Sequence, residues 1–212
     1  MNKPATFIIG LLAFAVGIAV AKYYVSSNSA QSDGMQPDMI TTDANGTTVP
    51  VIAGKFGGDF TLTQGGTPLK LSDFSGKLVL VYFGYASCPD ICPTSLAIIS
   101  AGLRELSAEQ LAQVQPVFVS VDPERDNGEK LMAYAKHFHP AFIGITGTPE
   151  EVQQAARQYG AFYARVESNS AMGYLIDHTS QSYLLSKDGK SVKILPHNIT
   201  PAMVADSIRQ GL

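Results

Sequence analysis

Six consecutive apolar residues, Leu78-Val79-Leu80-Val81-Tyr82-Phe83, constrain this chain more than any other feature in it. Ser75-Gly76-Lys77 bounds them on one side and Gly84 on the other. A run this short, apolar and rich in β-formers predicts a strand buried on both faces, as at the centre of a sheet with parallel neighbours. The residues after it turn the strand into a site. Gly84 to Pro93 reads as a loop bending into a helix, with Pro93 suited to the first helical position. Leu96, Ile99, Leu103 and Leu106 then mark one helix face. Cys88 and Cys92, the only 2 cysteines among 212 residues, lie in that loop.

The alternation continues. Val117 to Val121 reads as a second strand that ends in the loop Asp122-Pro123-Glu124-Arg125-Asp126, and a helix follows over about Glu129 to Phe138. Phe142 to Ile145 is a short strand. Thr148-Pro149-Glu150-Glu151 opens a helix to about Tyr159, with Thr as cap, Pro first and Glu third. Tyr183 to Ser186 and Val192 to Leu195 flank Lys187-Asp188-Gly189-Lys190, an Asp-Gly hairpin, and Thr200-Pro201 starts a last helix to about Gln210. Strands alternating with helices, closed by a hairpin, predict an α/β fold with a mixed central sheet flanked by helices. The cysteines fall where a strand's carboxyl end meets a helix, the usual place for a site in such a sheet.

The first quarter of the chain reads differently. Phe7 to Ala21 is uninterrupted apolar sequence, and with Tyr23, Tyr24 and Val25 it reaches the length of a membrane span. Residues 1–25 are therefore read as an N-terminal transmembrane anchor. A cleavable signal peptide is the competing reading, given Lys3 and the small residues Ala19 and Ala21. Either way the remainder lies outside the cytoplasm: after Lys22 no Lys or Arg occurs until Lys55, which fits translocation. No Arg precedes Arg104, against a mitochondrial presequence and for a bacterial envelope protein. Residues 26–50 are mostly Ser, Thr, Asn, Asp, Gln and Gly and read as a flexible tether, leaving 51–212 as the globular domain. Met35 and Met39 belong to the tether's composition, and the glycosylation-like triplets at Asn45 and Asn198 are coincidental in a bacterial chain.

A net charge of -3 and no basic cluster leave nothing to hold nucleic acid. Function rests on the cysteine pair. Cysteines four apart converge on one helix face, so their sulfurs can meet each other or one metal ion. A nearby helix N-terminus favours thiolate, the form that is both nucleophile and metal ligand. Spacing leaves a disulfide, zinc and copper all open. Structural zinc wants four protein ligands, and no further cysteine exists. Of the 4 histidines, His137 and His139 suit a helix C-terminus and His197 a surface turn. His178, in Gly173-Tyr174-Leu175-Ile176-Asp177-His178-Thr179, follows a strand-like stretch that can reach the same sheet edge as the cysteine loop.

Four segments resemble the SCO/SenC family of copper chaperones: Phe83 to Pro93, Ser120-Val121-Asp122-Pro123-Glu124-Arg125-Asp126, Phe142-Ile143-Gly144-Ile145-Thr146-Gly147, and Asp177-His178-Thr179. The resemblance runs in order from about Phe60 to the end. It implies a thioredoxin-like fold and a role in assembling the binuclear copper centre in subunit II of cytochrome c oxidase. It implies that Cys88, Cys92 and His178 bind copper, Cu(I) in preference to Cu(II), and that other periplasmic copper chaperones are further partners. Localisation would be the bacterial inner membrane, single-pass, with the domain in the periplasm. Two thiolates and an imidazole suit soft Cu(I), and few ligands leave room for a partner's ligands. Asp177 is a candidate to orient His178 but reads better as a polar loop residue; Asp122 and Asp126 are given no copper role, and Arg125 is a candidate to pair with a carboxylate. The rival reading uses Cys88 and Cys92 as a redox-active pair in a thiol-disulfide oxidoreductase that reduces the oxidase copper-site cysteines. Against it as the sole activity stand a three-residue spacing, the absence of Trp, and no proline in Thr179 to Tyr183, three departures from thioredoxin. Peroxide reduction fits less well, since no Arg neighbours Cys88 in sequence.

Overall fold

The computed structural model describes residues 40–42, 48–53, 56–168 and 173–212. All of them belong to one compact unit, Asp38–Leu212. The apolar stretch read as an anchor lies outside the described residues, as do Met35 and Met39. Among the described residues no helix is long and apolar enough to cross a membrane.

The strands are β1 (Ile40–Thr42), β2 (Thr48–Ala53), β3 (Thr61–Gln64), β4 (Thr67–Lys70), β5 (Leu78–Gly84), β6 (Val114–Ser120), β7 (Ile143–Ile145), β8 (Tyr163–Glu167), β9 (Tyr174–His178), β10 (Ser182–Leu185) and β11 (Ser191–Leu195). The helices are α1 (Ile91–Arg104), α2 (Ala108–Leu111), α3 (Gly128–Phe138), α4 (Pro149–Gln158) and α5 (Pro201–Gly211). Seven strands form one mixed sheet in the order β1-β2-β11-β10-β5-β6-β7. Pairs β5–β6 and β6–β7 are parallel, joined through α1 and α3; β10 runs antiparallel to β5, and β11 to β10. β1 and the start of β2 extend this sheet into the stretch read from composition as a tether.

All seven residues of β5 are buried, as a central strand requires. β6 begins at Val114, before the Val117 start that apolar patterning gives, because its first residues include Pro116. Proline is tolerated there: β7 pairs only with Val117 to Val119, so Pro116 has a sheet neighbour on one side alone. Tyr82 stacks on Phe118 across β5 and β6, and Phe83 packs against Tyr159 and Tyr183. Each fully buried aliphatic or aromatic side chain contributes about 1.5–3 kcal/mol, so this layer fixes β5 and whatever is attached to its end. α1 lies against α5 so closely that a Cβ on Gly102 would sit 2.7 Å from the carbonyl oxygen of Pro201. The capping box at Thr148 and Glu151 forms as the sequence predicts.

Two hairpins stand outside the main sheet. β3–β4 turns at Gly65-Gly66, both with positive φ. β8–β9 carries His178 at the end of β9 and pairs Tyr163 with His178.

Candidate metal centre

The sequence β5, loop, α1 delivers the two sulfurs. α1 starts at Ile91, two residues before the position expected from Pro93, so Cys92 lies in the first helical turn. Cys88 sits just before that turn, and its sulfur accepts the amide of Cys92 at 3.5 Å. The Asp90 amide and the Cys92 thiol also donate to it, and His178 stands beside it. Donors at a helix N-terminus favour the anion. The thiol of Cys92 and these partners together lower the pKa of Cys88 to about 3, against the opposing effect of burial. Cys92 moves the other way: its hydrogen bond to Cys88 and its burial raise it, so Cys88 is the thiolate and Cys92 the thiol. Both cysteines are free rather than bridged. Cys88 retains 9% exposure and Cys92 none.

Gly84 makes room for this arrangement. A Cβ there would stand 2.7 Å from the sulfur of Cys92 and 3.1 Å from the Phe118 ring, so only glycine fits. Gly84 ends β5 rather than opening the loop, and a glycine ending a buried strand is the sign in the sequence of a close approach.

His178 arrives from the separate hairpin. Its Nε2 lies 3.1 Å from the sulfur of Cys92, and its Nδ1 lies 3.0 Å from the carbonyl oxygen of Thr179. A carbonyl only accepts, so Nδ1 carries a hydrogen and Nε2 is the nitrogen turned to the sulfurs. The rings of Tyr82 and Tyr85 meet the imidazole edge to face, at 6.2 and 5.9 Å between centroids. The Thr179 carbonyl thus does the orienting for which Asp177 was a candidate; the Asp177 side chain is exposed. Thr179 is in turn held by Phe162, whose amide donates to the threonine hydroxyl at 2.8 Å and whose carbonyl accepts the threonine amide at 2.8 Å. The ligand atoms of Cys88, Cys92 and His178 all lie within 4.8 Å of one another, the one such cluster of potential ligands among the described residues.

A second set of contacts ties the hairpin to the loop after β6. Arg125 pairs through Nε with Asp122 and donates to the carbonyl of Tyr174 at 3.0 Å. The Tyr174 hydroxyl donates to Asp122 at 2.7 Å, and the guanidinium groups of Arg125 and Arg165 lie over the Tyr174 ring at 3.8 and 3.6 Å. Tyr85, from the cysteine loop, accepts the Ile176 amide at 3.2 Å. Asp126 accepts the Ala86 amide at 2.6 Å and the Ser120 hydroxyl at 2.7 Å, fixing the cysteine loop to the end of β6. Burial raises the pKa of that carboxyl, and these two donors oppose the rise. The acidic segment after β6 is therefore architectural.

The other histidines lie apart from the cluster. His139 caps α3, buried, with Nδ1 accepting the Ala141 amide at 3.2 Å; burial and then Arg104 lower its pKa. His137 stands edge-on to Phe138, and His197 is exposed in its turn.

A family model described as SCO1/SenC matches residues 51–212. This chain belongs to the SCO1/SenC family. It is 33% identical over 208 residues to the mitochondrial SCO1 homolog 1 of Arabidopsis thaliana, covering 97% of this chain and 60% of that protein. Its fold resembles apo Sco1 from Thermus thermophilus, at 35% identity and a TM-score of 0.70, over 82% of this chain and 99% of that one. It also resembles Bradyrhizobium japonicum ScoI, a structure solved with copper bound, at 35% identity and a TM-score of 0.67, over 74% of this chain and 99% of that one. The chain spans 60–62% of the length of the first curated relatives it matches. The mixed α/β sheet described above is thus the thioredoxin-like fold of this family.

Proposed function

We propose that this protein is a copper metallochaperone that takes up copper, Cu(I) by preference, on Cys88, Cys92 and His178. It delivers the ion to the binuclear copper centre of cytochrome c oxidase subunit II during oxidase assembly. The observation that carries the reading is the convergence of two sulfurs and one imidazole nitrogen within 4.8 Å at the end of β5. The family match and the copper-bound relative support it.

The donor set suits the cargo. Two thiolates and one imidazole match a soft d10 ion and fall short of the four protein ligands of a structural zinc site. Cys88 is already a thiolate, so uptake begins there, and the proton of Cys92 leaves as its sulfur becomes a ligand. Release follows exposure. The half-buried His178 and the slightly exposed Cys88 face an incoming ligand first, and the fully buried Cys92 lets go last. Residues 1–25 anchor the protein in the bacterial inner membrane, 26–50 tether it, and 51–212 work in the periplasm, where other copper chaperones supply the ion.

The asymmetry of the thiols favours a second activity at the same residues. Cys88 as thiolate attacks a partner disulfide, forming a mixed disulfide and releasing one partner thiolate. Cys92 gives up its proton and attacks Cys88, leaving a Cys88–Cys92 disulfide and a second partner thiol. Two electrons pass to the partner, as an oxidase copper site would need before metallation.

Incubating the Cu(I)-loaded protein with the soluble domain of subunit II tests the first reading: copper moves to the reduced domain, Cys88→Ala and Cys92→Ala proteins carry none to give, and the His178→Ala protein, which holds copper more weakly, gives less. If the wild-type protein keeps its copper and only reduces an oxidised domain, the reductase reading replaces it.

A further inference from the structure

The two sulfurs differ in what surrounds them. Cys88 draws amides from the start of α1. Cys92, with no exposure to water, draws on the backbone of Tyr85. Beside it lie two buried hydroxyls, Tyr82 Oη and Ser95 Oγ, that complete no well-aligned hydrogen bond, although the Tyr82 hydroxyl interacts with both the Cys92 thiol and Ser95. Their placement is fixed. The Tyr82 ring and the Cys92 sulfur border the same space over Gly84, where a Cβ would lie 3.2 Å from Tyr82 Cε1 and 2.7 Å from the sulfur. Ser95 follows Cys92 by three residues on the same face of α1 and adjoins the Tyr82 hydroxyl.

A buried hydroxyl left without a partner is costly, and native folds keep few of them. While Cys92 is a thiol it offers these hydroxyls no strong acceptor. Once a soft metal holds it as a thiolate, it becomes a buried anion that water cannot reach, and charge-assisted bonds to it are stronger than neutral ones. We propose that Tyr82, backed by Ser95, is a positioning residue that donates its hydroxyl hydrogen to the metal-bound sulfur of Cys92. The relay runs Ser95 Oγ–H to Tyr82 Oη, and Tyr82 Oη–H to the Cys92 sulfur, so that the Tyr82 hydroxyl gains a strong acceptor when the site is loaded. The inference rests on Cys92 being a copper ligand, as proposed above.

The relay gives two effects of opposite sign. Tyr82→Phe removes an unsatisfied hydroxyl from the copper-free protein, so the Tm of the full-length copper-free protein holds or rises. The same change weakens Cu(I) about 10–100-fold, the usual cost of losing a group that supports a ligand. Ser95→Ala weakens it about threefold by removing the polarising partner. Tyr134→Phe is the control: its hydroxyl is also buried and unpartnered, and its ring packs on Phe118 at 5.5 Å, yet it is not part of the relay, so Cu(I) affinity stays within twofold.

The experiment is a Cu(I) competition titration with a chromophoric chelator on the full-length wild type and the three variants, beside melting curves without copper. Weaker copper with an unchanged or higher copper-free Tm in Tyr82→Phe, and no loss in Tyr134→Phe, supports the relay. Wild-type affinity in Tyr82→Phe, or a fall in its copper-free Tm, overturns it. If Tyr82→Phe fails to fold, Ser95→Ala decides: unchanged affinity overturns the relay and the threefold loss supports it. A wild-type protein that takes up no Cu(I) is a different result, because it removes the copper reading itself.

Discussion

The candidate site is made by two regions built on opposite terms. β5 and α1, which place the sulfurs, belong to the centre of a seven-stranded sheet, and every residue of β5 is buried. The β8–β9 hairpin, which places the imidazole, is a two-stranded sheet of its own; most residues of β8 and β9 are partly or fully exposed. The first region is held by packing. The second is held by a few named contacts: Arg125 with Asp122 and Tyr174, Tyr85 with Ile176, and Thr179 with Phe162. An isolated hairpin is marginal in water, so these contacts decide where His178 stands. The sulfurs therefore form a fixed platform, and the imidazole is the ligand whose position is adjustable.

Removing a ligand from either region sets the outer limit. Cys92→Ala abolishes Cu(I) binding, and His178→Ala weakens it by about a hundredfold or more, beyond the 10–100-fold range of supporting groups. The contrast lies in the copper-free proteins: His178→Ala leaves the Tm near wild type, because the ring is half-buried at a hairpin end. Equal Tm losses in the two variants would break the comparison.

Arg125→Ala is next. It leaves Asp122, at 2% exposure, without its cation. Breaking such a pair costs about 3 kcal/mol, the lower end for a buried pair because the arginine is partly exposed. Urea unfolding measures that loss, and hydrogen exchange should locate new opening in 174–178 rather than in 78–84. Opening of β5 instead would show that the two regions are not separately held.

Gly84→Ala tests the platform. The added methyl meets the Cys92 sulfur and the Phe118 ring, so it should destabilise the protein by about 1–3 kcal/mol and lower Cu(I) affinity together. A variant of normal affinity and stability would mean that the platform yields.

The smallest expected effect is an absence of change. An ordinary thiol, with pKa about 8.5, loses thiolate about a hundredfold between pH 7 and pH 5. Cys88, lowered to about 3, stays ionised across that range, so its alkylation rate by iodoacetamide should be nearly flat. A fall in proportion to proton concentration would contradict the assigned roles of the two thiols.

The same contrast explains what could be read from sequence. Leu78 to Phe83 announces a central strand because burial on both faces leaves a continuous apolar run, and Cys88 and Cys92 are visible because they follow it at once. The helix over Leu96 to Leu103, the Thr148 box and the Asp188-Gly189 hairpin are legible for similar local reasons. β8 is not: Tyr163-Ala164-Arg165-Val166-Glu167 is short, mixed and mostly exposed, and its partner makes it a strand. β3, with Thr and Gln at three of its four positions, does not stand out from its surroundings, although Gly65-Gly66 is a recognised turn signal. His178 drew its weight from the family resemblance, because no local pattern places a hairpin end beside a loop 86 residues away. Tyr82 and Gly84 read as strand core and loop; only the three-dimensional approach of the Cys92 sulfur gives them a further meaning.

The most direct test of the three-ligand site is copper K-edge X-ray absorption on the Cu(I)-loaded wild type and the His178→Ala protein. The account predicts two sulfur scatterers and one imidazole nitrogen in the wild type, with the nitrogen signal lost in the variant. A sulfur-only shell in the wild type, or a spectrum unchanged by His178→Ala, would contradict it.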